Sequence, residues 1–325
     1  MTSAGGRFRH EAAFYRDAAG YRAAVLPFVR EGLDRAEAVL VAVPGPAAKL
    51  IREGLDGQPS AAQRVAYADM TELGRNPGRV IGAIWDFADR YPGQPVRFVS
   101  ELAWPGRSAV EIGEVAAHEA MANLAFATGP VTLLCPYDSG LLAASVITGA
   151  GLSHPFLRTA SGVTASAKFG GGAAVPGAAV PGAAFPGAAL PAPPAGARRL
   201  PYTSDLRTVR MFVAAEAGRA GLGDDRAGDL VLAVGEVAAN TVRHAGARGT
   251  LLAWTTGTEI ICQASDRGQI RDPLVGRRRP PETGGLGLWV VNQVCDLVEL
   301  RSGPGGTVIR MHMLLDRGPE TGGRP

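Results

Sequence analysis

The sequence has little lysine, few cysteines and no long hydrophobic run. Lysine occurs only at Lys49 and Lys168, and no Gly-Lys-Ser/Thr triplet is present, which excludes a Walker phosphate loop. The three cysteines are odd in number and far apart, without metal-ligand spacing, so we expect reduced thiols. No apolar run approaches the ~18 residues of a membrane span, and the N-terminus lacks the apolar centre of a signal peptide. We therefore expect a cytoplasmic protein that does not contact a membrane.

Neither sign of charge is in excess. The chain has 325 residues, with 33 basic and 30 acidic side chains and a net charge of +3. Nucleic-acid-binding proteins usually carry a clear basic excess, so we expect no direct contact with nucleic acid. Hydrophobic residues make up 46% of the chain, which is enough to bury a core, and the length indicates roughly two domains.

One segment, residues 161–200, differs from the rest in composition. It contains eight Gly and six Pro, and the pentapeptide VPGAA recurs at 175–179 and 180–184 before FPGAA at 185–189. Proline prevents helix continuation and each Pro-Gly favours a turn, so the segment cannot form a packed core. We predict a flexible, disordered linker, with an elastin-like role or a docking motif as alternatives. The resulting divisions are a domain at 1–160, the linker at 161–200, a domain at 201–317 and a tail at 318–325.

The first domain reads as alternating strands and helices. Four short apolar runs have the composition of buried strands, at 38–44, 64–70, 95–102 and 131–138. Because helical patterns separate these runs, we predict an α/β fold with a mostly parallel sheet covered on both faces. Ligands of such folds bind beyond the carboxyl ends of the strands.

The last domain starts with two amphipathic helical patterns, at about 204–220 and about 224–244, and a third follows at about 286–296. Strand patterns lie before and after the third helix. They cover residues 250–255, 259–266, 296–303 and 307–314. Helices grouped on one side of a mixed sheet indicate an α+β two-layer sandwich.

Three polar side chains share one face of the second of these helices. Glu236, Asn240 and His244 lie four residues apart, so they project in the same direction. An Asn carbonyl oxygen is a suitable ligand for Mg²⁺, and a Glu one turn earlier is suitable as a general base. Taken alone, this pattern is equally that of an ordinary solvated helix face.

Two glycine-containing segments follow along the chain. Asp266 and Gly268 stand at a predicted strand end, where a carboxylate can accept from an exocyclic amine such as that of adenine; a simple turn is the alternative. Gly285 and Gly287 lead directly into a helix, an arrangement that directs backbone N–H groups at phosphates. A glycine-rich helix start is weak evidence by itself.

The order of these motifs resembles the GHKL (Bergerat) ATPase fold, and within it the anti-sigma-factor serine/threonine kinases and their histidine-kinase-like ATPase relatives. The resemblance covers about 204–316 and implies ATP and Mg²⁺ as cofactors, with Asn240 holding Mg²⁺ and Glu236 as the catalytic base. It implies that Asp266 recognises the adenine amine above Gly268, with Thr307 in support. The implied nucleotide-binding set also includes His244, Gly285, Leu286 and Gly287.

The sequence departs from the family pattern at two positions. Ile270 stands where the first glycine box has its second Gly, and Leu286 stands where some kinases place an Arg. Both departures bear on catalysis more than on nucleotide binding. The loop 270–284, with Arg277, Arg278 and Arg279, is implied to be a mobile lid; a solvated basic loop is the alternative.

The resemblance implies a regulator that phosphorylates a Ser or Thr of an antagonist protein. Its partners are then a sigma factor, an anti-anti-sigma antagonist, or both, and related domains lead us to expect a homodimer. No histidine lies between His154 and His244, so the phosphoacceptor hairpin of a sensor histidine kinase is missing. The alternative is a non-catalytic module in which nucleotide occupancy switches a protein interface and sequesters the sigma factor.

Residues 8–158 resemble the MEDS family of sensory domains, which implies a RecA-like fold. The motifs that carry this resemblance include FVSELAWPGRS (98–108), HEAMANLAF (118–126), LCPYD (134–138) and SHP (153–155). For a small-molecule ligand we predict a pocket at the strand ends formed by His10, Glu101, Trp104, Arg107, Tyr137, Asp138 and His154. The simpler alternatives are a Glu101–Arg107 ion pair, a turn at His154–Pro155 and a core role for Cys135.

Overall fold

The computed structural model describes residues 8–56, 63–159, 161–170, 189–246, 248–280 and 285–315. The chain divides into an N-terminal and a C-terminal compact unit. The predicted repeats at 175–188, the predicted tail at 318–325 and residues 281–284 of the predicted lid lie outside the described residues. Within the described ranges, no helix combines the length and the hydrophobicity that crossing a membrane requires.

The N-terminal unit contains seven strands and six α-helices among its described residues. The strands are β1 (Arg9–Tyr15), β2 (Ala38–Val43), β3 (Val65–Asp69), β4 (Val96–Ser100), β5 (Val131–Asp138), β6 (Phe156–Thr159) and β7 (Gly162–Ala165). The helices are α1 (Ala18–Asp34), α2 (Gly45–Leu55), α3 (Met70–Leu73), α4 (Val80–Ala88), α5 (Ala109–Ala125) and α6 (Ala144–Ser153), with a 3₁₀ turn at Pro77–Arg79.

These strands form one sheet in the order β3-β2-β4-β5-β1-β6-β7. All neighbours are parallel except the last pair, β6 and β7, which is antiparallel. Strands β2 and β4 are buried at every position, the pattern expected of parallel strands covered on both faces. The unit is therefore a mixed, mainly parallel α/β sheet, and the four predicted strands are its β2 to β5.

Strand β1 was not predicted, although it lies between β5 and β6 inside the sheet. Its first residues include His10 and Glu11, which are charged or polar and yet almost fully buried. A polar pair of this kind interrupts the apolar run by which a buried strand is recognised. Helix α1 starts at Ala18, because the Asp17 side chain caps it by accepting a hydrogen bond from Gly20 N at 2.8 Å.

The C-terminal unit is an antiparallel sheet with three helices among its described residues. The strands are β8 (Arg198–Tyr202), β9 (Gly249–Thr255), β10 (Glu259–Asp266), β11 (Leu297–Gly303) and β12 (Gly306–Leu314). The helices are α7 (Leu206–Ala220), α8 (Asp224–His244) and α9 (Leu286–Val294). The strand order is β11-β12-β10-β9-β8, and every neighbouring pair is antiparallel.

A single apolar core joins this sheet to its helices. Val213 of α7, Val234 of α8 and Val291 of α9 are fully buried together with Met311 and Cys262 of the sheet. This is the helix-on-sheet sandwich that the sequence predicts, and it is consistent with a GHKL-like fold.

Both ends of the predicted linker are folded. Strand β7 lies just after residue 160, and strand β8 ends at Tyr202, whose buried side chain packs in the C-terminal core. The range 161–200 is therefore too wide for a linker, since pairing partners outside the segment recruit its two ends into sheets.

Candidate nucleotide cleft and buried polar cluster

Helix α8 provides one wall of a cleft in the C-terminal unit. The carboxylates of Asp224 and Asp225 in its first turn stabilise the helix, because they lie at the positive end of its dipole. Val234 and Val237 of this helix are buried in the core. The remaining face carries Glu236 and Asn240, both of which are half-buried. The helix thus keeps these two polar side chains together at the edge of the core.

The start of helix α9 lies directly against this polar pair. A Cβ atom at Gly287 would lie 2.8 Å from Glu236 Oε2 and 3.3 Å from Asn240 Nδ2, so only glycine fits without displacing them. Gly285, the residue before the helix, has a φ of 74°, in the left-handed region that favours glycine. Two motifs that are far apart in sequence therefore meet in space.

Asp266, at the end of β10, is fixed on both carboxylate oxygens. Thr241 Oγ1 of helix α8 donates to Asp266 Oδ2 at 2.6 Å, and Gly268 N donates to Asp266 Oδ1 at 2.8 Å. The hydroxyl of Tyr202 donates to Thr241 Oγ1 at 3.0 Å. Since each oxygen already has a partner, the carboxylate has one orientation, while its second lone pairs stay available to a ligand.

Strands β11 and β12 hold the turn after Asp266. Thr307 Oγ1 donates to the carbonyl oxygen of Gly268 at 2.8 Å, and it lies 2.8 Å from Ser302 Oγ. Ile270 N donates to the same Ser302 hydroxyl at 2.8 Å. Gly306 has a φ of 116°, and a Cβ there would overlap the carbonyl oxygen of Asp266. Close packing of backbone therefore fixes the position of this turn.

These elements surround a cavity of about 390 Å³, within the ~300–1,000 Å³ range of small-molecule sites. Six predicted nucleotide-binding residues line it, namely Asn240, His244, Asp266, Gly268, Gly285 and Thr307. Its apolar lining includes Val237, Ile270, Val275, Leu288 and Ile309. Glu236 and Gly287 are not among the lining residues; Glu236 lies one helical turn before Asn240, and Gly287 directly precedes Leu288. Leu286, between the two glycines, is the first residue of α9 and is half-buried.

The described part of the predicted lid packs on helix α9. Asn292 Nδ2 donates to the carbonyl oxygen of Gly276 at 3.1 Å, and the Arg279 guanidinium lies 5.5 Å from the centre of the Trp289 ring. Arg277 is buried, whereas Arg278 is exposed. The three consecutive arginines therefore have three different environments, which the sequence alone did not indicate.

A second polar cluster lies in the N-terminal unit and is centred on Glu119. This residue belongs to helix α5, which starts with a capping box in which Ser108 and Glu111 satisfy each other's backbone N–H groups. Glu119 Oε2 lies 2.9 Å from His10 Nε2 and 3.2 Å from His154 Nε2. Cys135 Sγ lies 3.5 Å from the same oxygen.

The cluster is almost completely buried, and among its four members only Glu119 lines a cavity. His10 and His154 are 0% exposed, and Glu119 and Cys135 are 2% exposed. Burial and the neighbouring His154 lower the pKa of His10, so its imidazole is neutral near pH 7. Burial acts to raise the pKa of Glu119, but His154 and His10 outweigh it and hold that pKa well below its usual range. Burial and the Glu119 carboxylate raise the pKa of the Cys135 thiol.

The seven predicted pocket residues do not form one pocket. Arg107 and Tyr137 line a cavity of about 430 Å³ together with Glu119. His10 and His154 contact Glu119 but are fully buried and are not among the residues that line the cavity. Trp104 lies under the Arg107 guanidinium at 3.6 Å.

Glu101 and Asp138 lie outside that cavity's lining. Glu101 Oε1 accepts a hydrogen bond from the Tyr15 hydroxyl at 2.6 Å, and burial raises the pKa of Glu101 to about 7. Asp138 Oδ1 accepts from Gly140 N at 2.9 Å and so fixes a turn. The alternative Glu101–Arg107 ion pair is wrong, because Arg107 pairs with Glu111 at 3.2 Å. That pair has the i, i+4 spacing of a helix and was visible in the sequence.

Sequence reasoning missed Glu119 as a site residue and treated Cys135 as a small core residue only. Cys135 is buried, as that alternative requires, but its thiol also contacts the polar cluster. His154 ends helix α6 instead of belonging to a free turn, and its Nδ1 lies 2.8 Å from the Ala150 carbonyl oxygen.

Comparison with known proteins agrees with this division into two units. The family described as "MEDS: MEthanogen/methylotroph, DcmR Sensory domain" matches residues 9–155, and the family "Histidine kinase-like ATPase domain" matches residues 202–313. The chain therefore contains a MEDS domain in its N-terminal unit and a histidine kinase-like ATPase domain in its C-terminal unit.

Individual relatives are more distant. No curated protein matches the chain. A solved structure, "The crystal structure of the RsbU and RsbW domains of Rv1364c from Mycobacterium tuberculosis", has 20% identity, covers 41% of this chain and 35% of that chain, and has a TM-score of 0.31. The match thus spans about a third of the solved chain's length.

Proposed function

We propose that the C-terminal unit binds ATP with Mg²⁺ and acts as an anti-sigma-factor-type serine/threonine kinase, in the cytoplasm and under the control of the N-terminal sensory unit. The observation that carries the proposal is the convergence of three separated motifs on the 390 Å³ cavity. Asn240 of α8, Asp266 of β10 and Gly285 before α9 all line it. A histidine kinase-like ATPase fold supports nucleotide binding in this unit.

In this proposal each residue has one task. Asp266, held by Thr241 and Gly268, accepts the adenine amine. Backbone N–H groups of Leu286 and Gly287 at the start of α9 bind phosphates at the positive end of the helix dipole. Thr307 keeps the turn at Gly268 in place beneath the base, and His244 lines the same cavity.

The donors beside Gly287 fit Mg²⁺. Asn240 offers a neutral amide oxygen, Glu236 lies next to it, and this small number of protein ligands leaves positions for water and phosphate oxygens. Bound there, Mg²⁺ would neutralise charge on the phosphates. Glu236 would accept the proton of the attacking Ser or Thr hydroxyl.

The partners in this proposal are a sigma factor, which the unit sequesters, and an anti-anti-sigma antagonist, whose Ser or Thr receives the phosphoryl group. The kinase acts on another protein because the sequence has no phosphoacceptor histidine between His154 and His244. A homodimer of ATPase units belongs to the same proposal.

The N-terminal unit, for which we propose a RecA-like fold, acts as the sensor in this scheme. Its cavity of about 430 Å³ has a mainly apolar lining, including Ile112, Val115 and Val146, with polar groups from Arg107 and Tyr137. Such a lining suits a small, mainly apolar molecule with one polar group.

Calorimetric titration of the full chain with ATP in the presence of Mg²⁺ tests the proposal. We expect binding in the wild type and a loss of about tenfold or more in Asn240→Ala, because the amide oxygen is removed. Leu232→Ala is the matched control, since Leu232 is exposed on the same helix and does not line the cavity. A wild-type protein with no affinity for ATP would contradict the proposal.

A non-catalytic, nucleotide-gated binding module is the second candidate. It is favoured by Ile270, which lines the cavity where the family pattern has glycine, and by Leu286 in place of an arginine. Glu236→Gln distinguishes the two functions. With γ-labelled ATP and an antagonist protein, a kinase loses label transfer in this variant but keeps ATP binding. A binding module transfers no label even in the wild type.

A further inference from the structure

The cluster around Glu119 brings together four potential metal ligands from four places in the fold. His10 lies in β1, Glu119 in α5, Cys135 in β5, and His154 at the end of α6. One donor atom from each lies within 4.8 Å of all the others. Their positions in sequence span most of the N-terminal unit, so no spacing motif reveals them.

The protonation of each imidazole is fixed from its outer side. His154 Nδ1 lies 2.8 Å from the Ala150 carbonyl oxygen, which can only accept, so Nδ1 carries the hydrogen. Asn123 Nδ2 donates to the carbonyl oxygens of Ser153 and Glu119. Asn123 Oδ1 is therefore the atom 3.1 Å from His10 Nδ1, and it accepts from that nitrogen.

Both histidines consequently direct Nε2, the nitrogen not used in these outer contacts, into the cluster. There the two nitrogens face Glu119 Oε2, which is itself only an acceptor when ionised. Among the described residues, His154 Nε2 has no hydrogen-bond partner although Glu119 Oε2 is 3.2 Å away. A metal ion bound between these nitrogens and the carboxylate would compensate the buried acceptor atoms, as a proton on Nε2 otherwise would.

We propose that His10, Glu119, Cys135 and His154 bind one divalent transition metal ion, with Zn²⁺ as the ion that this ligand set fits best. Two imidazole nitrogens, one thiolate and one carboxylate are typical zinc ligands in a four-coordinate site. A divalent cation with one thiolate and one carboxylate leaves the buried cluster with no net charge, which burial favours.

The surroundings have the second layer of contacts that metal sites need. Hydrogen bonds to Ala150 and Asn123 orient the two imidazoles, and the Tyr137 hydroxyl donates to Glu119 Oε1 at 3.2 Å. Glu119 and Tyr137 also line the 430 Å³ cavity, which provides a route from the surface to the site.

Metal content of the full chain is the direct test. The protein is stripped with a chelator, reloaded with Zn²⁺ or Co²⁺, separated from free ion and measured by elemental analysis. We expect one ion per chain. We also expect the Co²⁺ form to show a near-ultraviolet charge-transfer absorption from thiolate to metal. Wild-type protein that retains no stoichiometric ion would overturn the proposal, whatever the folding of any variant.

Cysteine variants identify the ligand. Cys135→Ser should lose the charge-transfer absorption and weaken Zn²⁺ binding by about tenfold or more. Cys262→Ala, a buried cysteine of the C-terminal unit, is the matched control and should keep both properties. Asn123→Ala should weaken binding less, because it removes an orienting contact and no ligand. If Cys135→Ser keeps the absorption, or Cys262→Ala loses it, the assigned site is wrong.

Discussion

The two units gather their polar side chains in opposite ways. In the N-terminal unit, His10, Glu119, Cys135 and His154 are almost completely buried and face one another. In the C-terminal unit, Asn240 and Asp266 are half-buried and face an open cavity. A buried cluster of donors suits an occupant that stays in place, whereas an open cleft suits a ligand that exchanges.

Histidine shows the same contrast in electrostatic terms. His10 shares the single carboxylate of Glu119 with a second imidazole, that of His154, and its pKa is lowered by burial first of all. His312 is also buried, but two carboxylates contact it, Glu259 at 3.1 Å and Glu299 at 3.0 Å. Burial alone would lower the pKa of His312, yet the two carboxylates raise it to about 9. The pKa shifts of these two buried histidines therefore have opposite signs, because the number of neighbouring carboxylates differs.

The largest expected difference between the two units is in how firmly each retains its proposed ligand. When the full chain is loaded with Zn²⁺ and Mg·ATP and then passed through a desalting column, we expect Zn²⁺ to remain and ATP to be lost. Buried zinc sites of peptides contribute ~10–16 kcal/mol of binding free energy, whereas a micromolar ligand contributes ~8 kcal/mol. Elemental analysis and absorbance measure both in one fraction. Loss of the metal with retention of the nucleotide would reverse the comparison.

The pH dependence of the C-terminal unit should follow His312. Because its pKa is raised from 6.5 to about 9 on folding, its contribution to stability is complete below about pH 6.5 and is lost as pH rises through about 9. The full shift corresponds to at most about 3 kcal/mol. His312→Gln should remove this part of the pH dependence.

Urea unfolding followed by the fluorescence of Trp254 and Trp289 measures this effect in the C-terminal unit, in a background in which Trp85 and Trp104 are replaced by Phe. The control is Arg9→Gln, a change in the other unit that should leave the pH dependence unaltered. Equal slopes in His312→Gln and its parent would show that the two carboxylates do not hold the proton.

Several residues around the cavity could be singled out from the sequence because their motifs are local. Glu236 and Asn240 share a face through helical spacing, and Gly285 and Gly287 directly precede a helix. Each pattern can be recognised within one element, and their order along the chain supplies the rest. The antiparallel sheet follows from runs of alternating or apolar residues of ordinary strand length.

The buried cluster could not be predicted in the same way. His10 disrupted the pattern of β1, and Glu119 lies in an alanine-rich helix where a carboxylate usually faces solvent. Only the pairing of β1 with β5 and β6 brings His10, Cys135 and the residues before β6 to one place. Contacts between distant segments depend on strand order, which local periodicity does not contain.

Asp266→Asn should weaken ATP binding by about 10–100-fold, because an amide cannot accept from Thr241, Gly268 and the adenine amine in the way a carboxylate does. Calorimetry on the full chain measures the loss. Asp225→Asn is the matched control, since Asp225 is exposed in the first turn of α8, away from the cavity. Equal affinities in the two variants would remove Asp266 from the site.

Gly287→Ala should have the smallest effect, about tenfold or less on ATP affinity. The added Cβ meets the ends of the Glu236 and Asn240 side chains, which can rotate away, so the fold survives while the polar pair moves. Alanine also favours helix over glycine by up to about 1 kcal/mol, so the free energy of unfolding should stay constant or rise. Gly228→Ala on the exposed side of α8 meets nothing within 4 Å and serves as the control, with unchanged ATP affinity. Thermal unfolding and calorimetry on the same samples separate the effect on stability from the effect on ATP affinity. If Gly287→Ala binds ATP like the wild type, the close approach of α9 to α8 does not set the geometry of the cleft.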